Sequence, residues 1–138
     1  GTEIVRGLDL FELRPSEYLT ENEIAAAALA NQGARFNPQQ QFRVDWPAEP
    51  VVARAYLDQL ERDEALPDPL AAELLAALDR VAARPEAGAG DENLAATLQS
   101  LGAALREDGL QGGGGDAIAT MRRSRLADTL FALAEGLR

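Results

Sequence analysis

The sequence contains no cysteine, no histidine and no lysine. Without cysteine there are no disulfides, no thiolate nucleophile and no cysteine metal site. Without histidine the usual zinc ligand and the usual general base are missing, and without lysine Schiff-base chemistry is excluded. Neither a cofactor nor a metal site is expected, and no small-molecule ligand is evident. All 13 basic residues are arginine, set against 23 acidic ones for a net charge of -10 and an isoelectric point near 4.4. Nucleic-acid affinity is carried mainly by phosphate contacts, so a surface of this sign repels DNA, RNA and anionic lipid alike. No apolar run approaches the roughly 20 residues of a membrane helix, and the start lacks the charged-then-apolar pattern of a signal peptide. The chain reads as soluble, with no membrane insertion.

What is present is an alanine- and leucine-rich helical sequence with a different beginning. At 138 residues it has the length of one domain with one sizeable core. In GTEIVRGLDLFEL the runs Glu3-Ile4-Val5 and Leu8 to Leu13 flank Arg6-Gly7 as strands flank a turn. An isolated hairpin is marginal in water, so this one calls for a partner sheet or helix. Pro15 to Tyr18 suits a tight turn, and Thr20 with Glu23 has capping-box spacing, predicting a first helix over about 21–31 that Gly33 stops. From Gly33 to Pro50, three prolines (Pro38, Pro47 and Pro50) predict an irregular arm carrying Phe36, Phe42 and Trp46. Four more helices are predicted over about 48–65, 69–83, 92–107 and 116–137, with Asp68, Asp91 and Asp116 as N-caps and Pro69 at a first helical position.

Each helix carries one apolar face at spacings of three and four: Val52, Tyr56, Leu57 and Leu60; Leu70, Leu74, Leu78 and Val81; Leu94, Leu98, Leu101 and Leu105; Ile118, Met121, Leu126, Leu130 and Leu133. Alanine between them favours helix and close axial approach. Short connections make neighbours antiparallel. The expected fold is mainly α: an up-down four-helix bundle with an additional N-terminal helix and a short N-terminal β-hairpin. Residues 1–19 form the hairpin and turn, and 20–138 the bundle with its arm over 33–50.

The stretches GTEIVRGLDLFEL, RPSEYLTENEIAAA and WPAEPVVARAYLDQL resemble the C-terminal end of bacterial LVIVD-repeat proteins, extracytoplasmic proteins predicted to form β-propellers. In that family a final blade closes on a segment like IVRGLDLFEL, a linker like PSEYLTENEI follows, and an alanine-rich helical tail completes the chain. The resemblance covers about residues 2–60. It implies that the hairpin is the last piece of a sheet outside this sequence, that Gly1 is not a natural start, and that the protein is periplasmic or extracellular. It supplies no catalytic motif.

Several features invite a chemical reading. Gly112 to Gly115 lacks the lysine and hydroxyl residue of a phosphate loop and reads as a flexible linker. Asp91-Glu92 and Glu107-Asp108 lack calcium-loop spacing and suit solvated helix ends. Arg122, Arg123 and Arg125 either grip an acidic partner or pair with acids on neighbouring turns. Phe36, Phe42 and Trp46 either form a strap for a partner or pin the arm to the bundle. The expectation is a non-catalytic structural or interaction module whose partner is protein, the rest of a parent chain or a larger assembly. Ile4, Val5, Leu10, Phe36, Phe42, Trp46, Arg122, Arg123 and Arg125 are the candidate partner-binding residues. The alternative is an accessory or lid domain of an enzyme whose active site lies elsewhere.

Overall fold

A computed structural model describes residues 2–3, 7–8, 11–30, 39, 44–85, 90–111 and 116–138. Five helices follow a short strand pair: α1 (Glu21–Ala28), α2 (Pro50–Arg62), α3 (Asp68–Ala82), α4 (Glu92–Gln111) and α5 (Ala117–Gly136), after β1 (Thr2–Glu3) and β2 (Gly7–Leu8). The strands pair antiparallel with Thr2 opposite Leu8 and Glu3 opposite Gly7. Gly7 is therefore a strand residue and not part of an Arg6-Gly7 turn, and Phe11 to Leu13 form no strand. Among the described residues the hairpin packs against no helix. A second turn joins Ser16 and Leu19 by reciprocal backbone hydrogen bonds of 2.8 and 3.3 Å, one residue later than the sequence suggests.

The helix starts follow from their caps. The Thr20 hydroxyl accepts from the Glu23 amide at 3.2 Å, and Glu23 accepts from the Thr20 amide at 2.8 Å, completing the capping box. Asp91 accepts from the Leu94 amide at 2.9 Å, and Asp116 from the Ile118 amide at 3.1 Å. Two expectations need correction. Pro50 opens α2 as its first residue and is no breaker, because its missing amide hydrogen would have had no helical partner there. Asp68 lies in the first turn of α3 with Pro67 in the cap position and makes no capping hydrogen bond, although its charge still suits the helix N-terminus.

The helix ends also differ. α1 stops at Ala28, α2 at Arg62, and α4 continues to Gln111. At the end of α2 the Ala65 amide donates to the Leu60 carbonyl at 2.8 Å and the Glu64 amide to the Glu61 carbonyl at 3.0 Å. That pair of bonds is a Schellman closure, and it places Glu64 at φ 51, a conformation usually left to glycine.

The packing order closes a ring: α2 against α3, α3 against α4, α4 against α5, and α5 back against α2. Cross-links fix the directions. Arg54 of α2 pairs with Asp79 near the end of α3, Asp91 before α4 donates its amide to the Leu137 carbonyl beyond α5 at 2.8 Å, and Arg122 early in α5 pairs with Asp63 beyond α2. Neighbours are antiparallel throughout, as an up-down four-helix bundle requires. Leu57, Leu60, Leu74, Leu78, Leu94, Leu98, Leu105, Leu126 and Leu130 are fully buried at its centre, with alanines from every helix between them. In α5 the inward face begins at Ala119 and continues through Leu126, Ala127, Leu130, Leu133 and Ala134 to the C-cap residue Leu137. Ile118 and Met121, expected on that face, are each 51% exposed, because Ala119 fixes the phase of the first turn. Gly102 sits where α4 meets α5 closely; a Cβ there would stand 3.0 Å from the Phe131 ring.

Helix α1 stands outside the ring and, among the described elements, packs on α2 alone. Its contribution is a small satellite cluster of Ala26, Val52 and Ala55, with Val51 and Tyr56 at its edge.

Candidate docking site

The described polar groups concentrate where α1 meets α2. Glu23 is buried and accepts hydrogen bonds from both terminal guanidinium nitrogens of Arg62, at 2.9 and 2.8 Å. Asp58 accepts from the Thr20 hydroxyl at 2.5 Å and from the Asn22 amide group at 2.9 Å. Hydrogen bonds from Arg62 hold the Glu23 carboxyl at a pKa of about 2 against an ordinary 4.5, helped by the Thr20 amide and opposed by burial. Glu23 reciprocally raises Arg62. The bidentate geometry makes the pair a positional lock, setting the rotation and height of α1 on α2. A capping residue thus doubles as the anchor of the helix it caps.

This lock positions the floor of a cleft. Glu23, Ala26 and Ala27 of α1, with Val52, Ala55, Tyr56 and Gln59 of α2, line a hollow of about 130 Å³ together with Trp46. A second hollow of about 170 Å³ lies between residues 44–48, Tyr56 of α2, and Arg125, Asp128, Thr129 and Ala132 of α5. Trp46 and Tyr56 line both. Trp46 remains 39% exposed while lining both hollows, so it is partly packed and partly open to solvent. Burial raises the Tyr56 hydroxyl pKa, and the nearby Asp128 charge adds to it. The hydroxyl therefore stays protonated as a donor facing an acidic neighbour.

The arginine triplet divides among three tasks. Arg122 pairs with Asp63. Arg123 donates through Nε (3.1 Å) and a terminal nitrogen to the Ala65 carbonyl, tying α5 to the end of α2. Arg125 lines the Trp46 cleft. The first two are thus engaged within the fold and only Arg125 borders the hollow. Phe36, Phe42, Ile4, Val5 and Leu10 lie outside the described residues, as do Gly33, Pro38 and the Gly112 to Gly115 tract. Sequence reasoning missed Tyr56 as a cleft residue, assigning it to the core. It also missed Glu23, Asp58 and Arg62 as the lock; the capping box signalled Glu23, but nothing in the spacing signalled its partner.

Among the described residues no cluster of three or more acidic groups is arranged to hold a metal ion. No helix formed by them is long and apolar enough to cross a membrane. Fold and cleft together define a mainly helical module, a four-helix bundle with one helix strapped to its outside. No family profile, curated protein or solved structure matches the chain.

Proposed function

We propose that this chain is a non-catalytic interaction module that holds a larger protein against a partner, and that the surface around Trp46 is where it docks. The observation that carries this reading is the half-open indole shared by two hollows of about 130 and 170 Å³. Both fall below the roughly 300 Å³ at which small-molecule sites begin, yet each suits one inserted side chain. Tryptophan is one of the residue types most enriched among interface anchors. The full sequence offers no cysteine, histidine or lysine, which leaves carboxylates, arginine, tyrosine and hydroxyls as its reactive repertoire. The resemblance of residues 2–60 to the LVIVD-repeat C-terminus supports a parent protein of β-propeller type, outside the cytoplasm, whose last sheet takes up the hairpin. Three large apolar side chains on the segment before α1, Phe11, Leu13 and Tyr18, are 84%, 67% and 75% exposed. That exposure agrees with a partner surface at this end of the chain.

The test is to express the parent polypeptide with Trp46→Ala and measure association of residues 20–138 with the remainder in trans. An anchor predicts at least about 2 kcal/mol weaker binding with an unchanged thermal transition of the bundle. Normal binding together with a lost transition would make Trp46 an internal staple and refute the reading. The second reading, a lid over an active site elsewhere, rests on the same strap over 44–48 and predicts that Trp46→Ala alters turnover of the parent protein without altering association.

A further inference from the structure

A second surface lies at the other end of α2, away from Trp46. The last turn of α2, the Schellman turn and the first two turns of α3 enclose an open groove of about 670 Å³. Leu66, Ala72 and Leu75 supply its apolar lining, and Glu61, Glu64 and Asp68 its rim. Leu75 is 43% exposed in the middle of a helix whose other leucines point to the core or its edge. None of the three rim carboxylates has a hydrogen bond or ion pair with a described residue. The nearby arginines are committed elsewhere: Arg62 to Glu23, Arg122 to Asp63, and Arg123 to the Ala65 carbonyl. The rim is therefore charge-unbalanced around an uncovered apolar strip.

We infer that this groove docks a cationic segment of a partner protein, one that presents arginine or lysine on either side of a large apolar side chain. Three considerations select that occupant. A second copy of this chain, at a net charge of -10, would bring like charge to an acidic rim. A bound metal ion does not fit, because the three carboxylates do not converge as a ligand set. Carboxylates bordering an apolar strip complement instead, in charge and polarity, basic residues flanking a leucine on a helix or extended peptide. The charge accelerates encounter and the leucine supplies retention, since exposed ion pairs contribute little after screening.

The probe is a short fluorescein-labelled peptide with two leucines one helical turn apart, flanked by arginines, titrated into the whole chain at two salt concentrations. Backbone amide shifts should change at Leu66, Ala72 and Leu75. Leu75→Ser should weaken binding at least about tenfold at either salt concentration, with the thermal transition retained. Glu61→Gln combined with Glu64→Gln should weaken it mainly at low salt. A control peptide with serine in place of leucine should bind at least about tenfold more weakly than the probe. Equal binding of the serine peptide, insensitivity to Leu75→Ser, shifts spread across the acidic surface or centred on Trp46, or no binding at all would each overturn the inference. Because Trp46→Ala leaves this groove untouched, failure here and failure at the Trp46 cleft are separable.

Discussion

In a Glu23→Gln variant, α1 should loosen from α2 while the four-helix ring stays folded. The displacement of the Glu23 pKa from 4.5 to about 2 corresponds to about 3 kcal/mol in favour of the ionised, docked carboxylate. The Glu23 side chain is 7% exposed and that of Arg62 28%, so water screens the pair only modestly. Glutamine keeps the shape and can still accept one bond from Arg62, which reduces the expected loss to about 2 kcal/mol. The folded pKa is depressed, so the stabilisation is complete above pH 4.5 and is lost as pH falls through about 2. The difference between wild type and variant should therefore shrink across that window by about 2 kcal/mol, nearly to zero near pH 3. Subtracting the variant removes the contribution of the many other carboxylates that titrate there. Trp46 is the only tryptophan and lines one hollow with Ala26 and Ala27 of α1, so its emission reports α1 docking during urea titration, while far-ultraviolet circular dichroism reports the bundle. A difference below about 1 kcal/mol at neutral pH, or one that does not change down to pH 3, would refute the lock.

Other perturbations follow from single contacts. Glu64→Gly should stabilise the chain by about 0.5–1 kcal/mol in urea denaturation, because glycine relieves the αL strain at φ 51 by more than it costs in unfolded-state entropy. Gly90→Ala should destabilise it by about 1–3 kcal/mol, since the added carbon would stand 2.9 and 3.1 Å from the Leu137 and Arg138 carbonyl oxygens, backbone atoms that cannot step aside. Leu98→Ala, at the fully buried centre of α4, should cost about 2–5 kcal/mol of global stability. Met121→Ser on the exposed start of α5 should change it by less than about 0.5 kcal/mol.

The bundle was legible because its information is local. Three- and four-residue leucine spacing, the Thr20–Glu23 box, and aspartate before α4 and α5 each act within one or two turns, and the structure keeps all of them. Alanine blurred the phase. On α5 the face could be drawn through Ile118 and Met121 only because Ala119 carried no weight as a core residue, although a small side chain is what lets that turn approach its neighbour. The Asp68 assignment failed for a related reason: proline fixes only its own φ, and Pro69 fits the second helical position as well as the first. The candidate site was far less readable. Glu23 and Arg62 are separated by 39 positions, and no periodicity connects them. Trp46 was marked by its residue type and its irregular surroundings, while Tyr56, its partner in both hollows, is indistinguishable in sequence from a core aromatic.

The claim that the Trp46 surface is an interface is tested most directly by photo-crosslinking from that position in the parent protein. A benzophenone amino acid replaces Trp46, the protein is irradiated in its native preparation, and the adduct is mapped by mass spectrometry. Adducts to a polypeptide segment outside residues 20–138, or to a separate partner, with the bundle's thermal transition intact, are the predicted result. Adducts confined to α1, α2 and α5 of the same chain would mean that Trp46 merely fastens the strap to its own bundle, and would contradict the account.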